Sequence, residues 1–131
     1  LLSPLRDAGR IRRRLDRVEL FVVQTRLRAE LREELKAVGD LERLATRAAL
    51  HDASPRDLGG LRDGLRAAAR VVAVLEAVDV ASDREILALG DGPIDVVADL
   101  FEELQRALVE RPPAQAKDGA IFLSEYDDQL R

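Results

Sequence analysis

The sequence has no cysteine, methionine or tryptophan, one His, one Tyr, three Phe and only two Lys among 131 residues. Without Cys there are no disulfides and no thiolate chemistry. With a single imidazole, at His51, the chain also lacks the several N or S ligands that a Zn site needs. Aromatic residues amount to 3%, so a core has to be assembled from Leu, Val and Ala. No apolar run approaches the ~18 residues that span a bilayer. A signal-peptide pattern is missing, as is any G-x-x-x-x-G-K-S/T loop to cradle a nucleotide phosphate. These absences predict a cytoplasmic setting, no membrane partner, and a segment without metal, cofactor or catalysis. The chain opens on Leu1 directly ahead of a helical pattern, with no initiator Met, and reads as a piece of a longer protein.

What is present favours helices. Apolar residues make up 47%, and Ala and Leu are among the best helix formers while few residues here suit strands. A chain of this length is expected to form one domain and to bury roughly two-thirds of its unfolded surface. The net charge of −4 hides a gradient: residues 1–28 hold eight Arg against three acids, residues 29–74 balance at eight each, and residues 75–131 hold five basic and fourteen acidic groups. Only the N-terminal arm is suited to attract an anion. Nineteen of the 21 basic residues are Arg. The guanidinium fork fits phosphate and carboxylate, but Arg is spread along the whole chain, as a G- and C-rich genome would also produce.

Leu5, Ala8, Ile11, Leu15, Val18 and Val22 recur at three- and four-residue steps, which predicts an amphipathic helix over residues 4–23. Thr25 is placed to cap a second helix with Leu27, Leu31, Leu35 and Val38 on one stripe, broken by Gly39. Asp40 is placed to cap a short helix that carries Leu41, Leu44, Ala45 and Ala48 on one face and sets Arg43 and Arg47 one turn apart. Ser54 caps the next helix, with Pro55 at its first position and Asp57 three residues after the cap, where its side chain can answer back. From Pro55 to Val78 the pattern Leu58, Leu61, Leu65, Ala68, Val72 and Leu75 persists over 24 residues, about 36 Å of helix. Gly59, Gly60 and Gly64 within it each cost up to ~1 kcal/mol relative to Ala, and mark places where another helix crosses closely. Ser82 and Glu85 form a second capping box, opening a short helix through Leu89, and Gly90-Asp91-Gly92-Pro93 is a break. Ile94, Val97, Leu100, Phe101, Leu104 and Leu108 define a last long helix that Pro112-Pro113 stops. Ala120-Ile121-Phe122-Leu123 reads as a short extended segment, and Ser124 as the cap of a helix running to Arg131. The predicted fold is all-α: an irregular bundle of five or six helices, two of them long, with at most one short extended piece near Ala120.

Few side chains suggest chemistry. Arg10, Arg13, Arg14 and Arg17 share a helical face that is suited to weak contact with a DNA backbone, although only Phe21 is within reach for base stacking. A solvated face, or pairing with acids, is the plainer account of them. Arg43 and Arg47 are expected to hold a neighbouring helix or its carboxylates. His51 follows a helix and is expected to help finish it. Glu102-Glu103 and Asp127-Asp128 are adjacent carboxylates that point apart on a helix and sit among solvated charges, so they do not make an acid/base pair.

The stretch from Val38 to Leu65, VGDLERLATRAALHDASPRDLGGLRDGL, resembles the lever, or core, domain of the bacterial DNA mismatch repair family MutS, in which a D-L-E-R-L-x-x-R helix is followed by a P-R-D-L helix. Near the N-terminus, Leu2-Ser3-Pro4-Leu5-Arg6-Asp7, Ile11, Arg14-Leu15-Asp16 and Val18-Glu19 are similar to the family's L-x-P-L-R-D and I-x-x-R-L-D-x-V-E. Near the C-terminus, Pro112-Pro113, Asp118-Gly119, Ile121 and Tyr126-Asp127 are similar to a segment with P-P, D-G-G-x-I and G-Y-D, from which Ala120 and Glu125 depart by replacing Gly. Phe101-Glu102-Glu103 matches the family's mismatch-reading F-x-E in letters only, since Phe101 is expected to face the core.

The resemblance implies a structural, signal-transmitting lever that joins mismatch-binding and clamp regions to a separate ATPase, with ATP and Mg held elsewhere in the parent. Structural or interdomain roles are expected for Asp40, Arg43, Arg47, Ser54, Pro55, Arg56 and Asp57, and on physical grounds the Pro55–Val78 rod is expected to carry the motion, with hinges at Gly39-Asp40 and Ala53-Ser54. The implied partners are other domains of the same parent chain, mismatched duplex DNA and MutL, in a homodimeric parent. In that family the chain leaves the lever to form the clamp and returns. The segment would then be incomplete without the returning helices, leaving apolar stripes exposed and prone to self-association. An autonomous helical scaffold for a protein partner, or a weak DNA binder through the Arg10–Arg17 face, are the alternatives.

Overall fold

The computed structural model describes residues 6–87 and 93–126. Within them lie six α-helices: α1 (Ala8–Val23), α2 (Thr25–Val38), α3 (Leu41–Ala49), α4 (Pro55–Glu76), α5 (Ala81–Leu87) and α6 (Ala98–Ala107), followed by a single 3-10 turn at Ala116–Asp118. The fold is all-α. The extended piece near Ala120 is one antiparallel bridge, Leu108 with Phe122, closed by Val109 N donating to Ile121 O at 3.0 Å and Leu123 N to Ala107 O at 2.8 Å.

Several boundaries differ from those expected, each for a local reason. α1 begins at Ala8 because the Asp7 carboxylate accepts from Arg10 N at 2.7 Å and so caps the helix; residues 1–5 lie outside the described residues. Thr25 is the first residue of α2, and not its cap. The junction residue is Gln24, whose N–H donates to Leu20 O and whose carbonyl accepts from Arg28 N, so α1 passes into α2 on helix-type bonds and Arg28 N, a donor that a Thr25 cap would use, is taken. Ser82 lies inside the first turn of α5; Val80 O accepts the first helical bond, from Arg84 N. The expected end at Leu89, the break at Gly90–Gly92 and the helix beyond Tyr126 lie outside the described residues. The last helix is ten residues long, not a long one. Val97 takes a left-handed backbone (φ 53°) with its N–H on Asp95 Oδ1, so helix starts only at Ala98. At its other end Leu108 is already extended (φ −94°, ψ 143°) to enter the bridge, four residues before Pro112.

Helix α4 is central, packing against α2, α3, α5 and α6. Its 22 residues span about 33 Å. Leu44 of α3 and Leu61 and Leu65 of α4 form the buried cluster, with Leu41, Ala48, Phe101 and Leu104 packed around it. Close approach explains two of the α4 glycines. A Cβ on Gly64 would stand 2.5 Å from Val38 O and 2.6 Å from Leu41 Cδ2, and one on Gly59 would stand 2.9 Å from Pro112 Cδ. At Gly60 the nearest atom, Leu44 Cδ1, is at an ordinary 3.4 Å.

Candidate functional site

The α3–α4 corner gathers five of the charged residues that the sequence singled out, Asp40, Arg43, Arg47, Arg56 and Asp57. It is built from local rules. Asp40 caps α3 by accepting from Arg43 N at 3.1 Å. After nine helical residues the chain leaves α3 through Leu50 and His51, which takes a left-handed conformation (φ 57°). Asp52 N donates to Arg47 O and His51 N to Ala48 O, the paired bonds of a Schellman turn. His51 thus finishes the helix with its backbone, and its side chain is exposed. The turn delivers the chain to Ser54, and the capping box of α4 follows: Asp57 N donates to Ser54 Oγ at 3.2 Å, and Ser54 N to Asp57 Oδ2 at 2.9 Å.

Arg47 joins the two helix ends. Its Nη1 lies 2.8 Å from Asp57 Oδ2, its Nε 3.3 Å from Asp52 Oδ2, and its Nη2 donates to Asp52 O at 2.7 Å. Arg43 approaches the same carboxylate more loosely, 3.9 Å from Asp57 Oδ1, and reaches back to its own cap, Asp40, at 3.6 Å. The Asp57 carboxyl is held below its ordinary value of 3.8, first by the Ser54 hydroxyl and then by the Ser54 backbone N–H; burial opposes this, and the charges of Arg47 and then Arg43 add to the lowering. Pro55 is buried at the start of α4. Arg56 is exposed, with no ion pair among the described residues.

Gly39 stands at the other side of the corner, between α2 and the cap of α3. Its φ of 69° and ψ of −164° belong to a region that essentially only glycine occupies, and nothing lies within 4 Å of where a Cβ would be. At the second expected hinge, Ser54 is tied to Asp57 through both N–H and hydroxyl, so that junction is braced from the α4 side.

The four α1 arginines that the sequence singled out do not act alike. Arg10, Arg13 and Arg14 are exposed, whereas Arg17 is half-buried and its Nε donates to Ile86 O at 2.9 Å, fastening α1 to α5. Glu103 accepts from Tyr126 OH at 2.6 Å and pairs with Arg106; both partners lower its pKa, the tyrosine most. Glu102 is exposed, and Asp127-Asp128 lie outside the described residues. Phe101 packs on the core with the Arg66 guanidinium 5.5 Å above its ring. Among the described residues no group of three or more His, Asp or Glu is placed to hold a metal ion.

One residue escaped sequence reasoning. Arg62 is 3% exposed; its Nη1 and Nη2 donate to Val109 O at 2.9 Å and Glu110 O at 2.7 Å. It holds the chain leaving α6 onto α4. The available signal was its position: Leu58, Leu61, Arg62 and Leu65 share one apolar face, and a charge at such a place has to find partners inside.

An irregular helical packing around one central rod, with the D-L-E-R-L-x-x-R helix locked to the P-R-D-L helix through Arg47 and Asp57, is the arrangement to set beside known proteins. The family model described as MutS domain III matches residues 1–129. The chain belongs to the MutS domain III family. It is 47% identical to the DNA mismatch repair protein MutS of Sorangium cellulosum over an alignment that covers 99% of this chain and 17% of that protein. Against MutS of Salinibacter ruber the identity is 38%, and against MutS of Thermus aquaticus 42%, each with 99% of this chain and 14% of the relative covered. The domain III chain therefore spans about a sixth of the length of these relatives or less.

Proposed function

We propose that this domain III chain is the lever of a MutS-like DNA mismatch repair protein, passing displacement between a DNA-contacting region and a separate ATPase. The observation that carries the reading is the placement of α4. One continuous helix packs on α2, α3, α5 and α6, and its N-terminus is clamped to α3 by Arg47 and Asp57. Packed interiors compress little, so motion entering at the corner reaches α6 as movement of a rod. Gly39, with glycine-only dihedrals and open space around it, is the point where α2 and α3 can change their angle. On this reading the parent binds ATP and Mg in another domain, works as a homodimer in the cytoplasm, and meets mismatched duplex DNA and MutL.

The test is made in the full-length parent. Gly39→Pro forbids the positive φ, and Gly39→Ala strains it more gently. Both should keep mismatch affinity and basal ATP turnover while losing the stimulation of one by the other, Pro more than Ala. Unchanged stimulation in both variants sinks the hinge and with it the lever reading.

A further inference from the structure

The chain leaving α6 lies along α4 in antiparallel register. Arg66 Nη2 donates to Gln105 Oε1, the Arg62 fork holds Val109 O and Glu110 O, and Pro112 sits on Gly59, where an added Cβ would stand 2.9 Å from its Cδ. Positions 59, 62 and 66 are three and four residues apart, so one face of α4 seats the run from 105 to 112. The prolines make a side-chain donor necessary there. In a continuing helix Val109 O would accept from the N–H four residues on, but that residue is Pro113, which has none. Arg62 supplies the missing donor.

Arg62, Arg66 and Arg70 follow one another on α4 at four-residue steps, and they are not equivalent. Arg70 Nε lies 2.7 Å from Glu34 Oε2 of α2, but half of the Arg70 side chain is in solvent. Such a pair holds weakly, is screened by salt, and ends on a side chain that can swing. Arg62 is buried, with its charge met by Asp63 Oδ1 at 3.0 Å. Both of its Nη atoms are fixed on backbone carbonyls, and charge-assisted bonds of this kind are the strong ones. A main-chain oxygen cannot rotate away from its donor as a carboxylate does. Displacement of α4 at Arg62 is therefore displacement of the main chain at residues 109 and 110.

We propose that Arg62 is the positioning residue through which α4 moves the chain beyond α6, a clasp that makes residues 109–112 follow the rod. The inference rests on the lever reading and adds to it the joint at which displacement is handed on. Arg62 stands five residues from Asp57, which receives Arg47, so the incoming and outgoing grips are separated by only about 7.5 Å of helix. The clasp does not end on a loose strand. The bridge of Leu108 with Phe122 and the bond from Tyr126 OH to Glu103 tie the chain as far as residue 126 to the same run and to α6.

The test uses the full-length parent and reads the stimulation of ATP turnover by duplex DNA carrying one mismatch. Arg62→Met should keep mismatch affinity and basal turnover while cutting the stimulation at least about threefold. Arg62→Lys should behave alike, since one ammonium does not reproduce the fork. Gly59→Ala keeps the charge but crowds Pro112 off its seat; it should give a smaller loss, and it carries the test if far-UV circular dichroism shows Arg62→Met unfolded. Arg70→Met removes the exposed pair from the same helix and should keep full stimulation. Full stimulation in Arg62→Met, or in Gly59→Ala where that variant stands in, overturns the clasp. So does a loss in Arg70→Met as large as in Arg62→Met, which would make any contact of α4 equivalent. Gly39→Pro measured alongside separates the two claims: a loss there with full stimulation in Arg62→Met removes the clasp alone, whereas full stimulation in both removes the lever reading.

Discussion

Arg47 Nη1 and Asp57 Oδ2 lie 2.8 Å apart across the α3–α4 corner, and the same carboxylate oxygen closes the capping box of α4. One acid therefore both starts a helix and receives the helix before it. Because its pKa is lowered in the folded chain, Asp57 contributes stability that is complete above its unfolded pKa and disappears as pH falls through the lower, folded one. Asp57→Asn should cost about 1 kcal/mol at pH 7 and flatten the acid limb. Urea midpoints from pH 7 to pH 2.5 check this: the native chain should lose more stability on acidification than the variant.

Arg62 should be the most sensitive charged residue. Removing its guanidinium, the buried member of the contact, takes the donors from the part-buried carbonyls of Val109 and Glu110, so Arg62→Met should cost about 1–3 kcal/mol. Lys should not rescue it, since one ammonium does not reproduce a fork on two carbonyls. Urea unfolding gives the cost. A loss comparable to that of Arg47→Ala, expected near 1 kcal/mol because Arg47 is more than a third exposed, would contradict the assignment.

Gly60 and Gly64 make a matched pair on one helix. Gly64→Ala drives a Cβ into Val38 O, a backbone atom that cannot swing aside, and should destabilise by about 1–3 kcal/mol despite the better propensity of Ala. Gly60→Ala meets only Leu44 Cδ1 at 3.4 Å and should be neutral or stabilising by up to ~1 kcal/mol. Thermal unfolding of the two variants should move the midpoint in opposite directions, or leave the second unmoved.

His51 and Ala120 hold left-handed backbone with φ of 57° and 50°, where a Cβ is unfavourable. Both side chains are exposed, so little packing is lost on truncation. His51→Gly and Ala120→Gly should each raise stability by about 0.5–1 kcal/mol, additively because they lie in different turns, as denaturant titration of the double variant would show.

Legibility followed the range of the interactions. The Asp40 cap, the Ser54–Asp57 box and the heptad-like spacing in α1 and α4 each depend on residues a turn apart, and the structure places them where the spacing does. Ala120 and Glu125, the two departures from a family glycine, divide cleanly: Ala120 adopts the positive φ that glycine would have relieved, and Glu125 does not need it. Start signals misled where a competing bond was available. Thr25 and Ser82 look like caps, yet Arg28 N and Arg84 N, donors that such caps would use, are taken by Gln24 O and Val80 O. The stripe from Ile94 suggested four more residues of helix, but Asp95 holds Val97 N and turns the chain instead.

The sequence by itself determined that the chain is helical, which residues cap α3 and α4, and the family to which its D-L-E-R-L-x-x-R and P-R-D-L helices belong, because all three are encoded in spacings of one to four residues. Only the tertiary structure decided that α4 is the shared centre, that Arg62 is buried, that Arg17 is spent on α5, and that the apolar face of α1 looks outward. Periodicity fixes which residues share a face. It carries no information on which neighbour that face meets, since hydrophobic burial has no direction of its own and the choice is made by contacts between segments far apart in the chain.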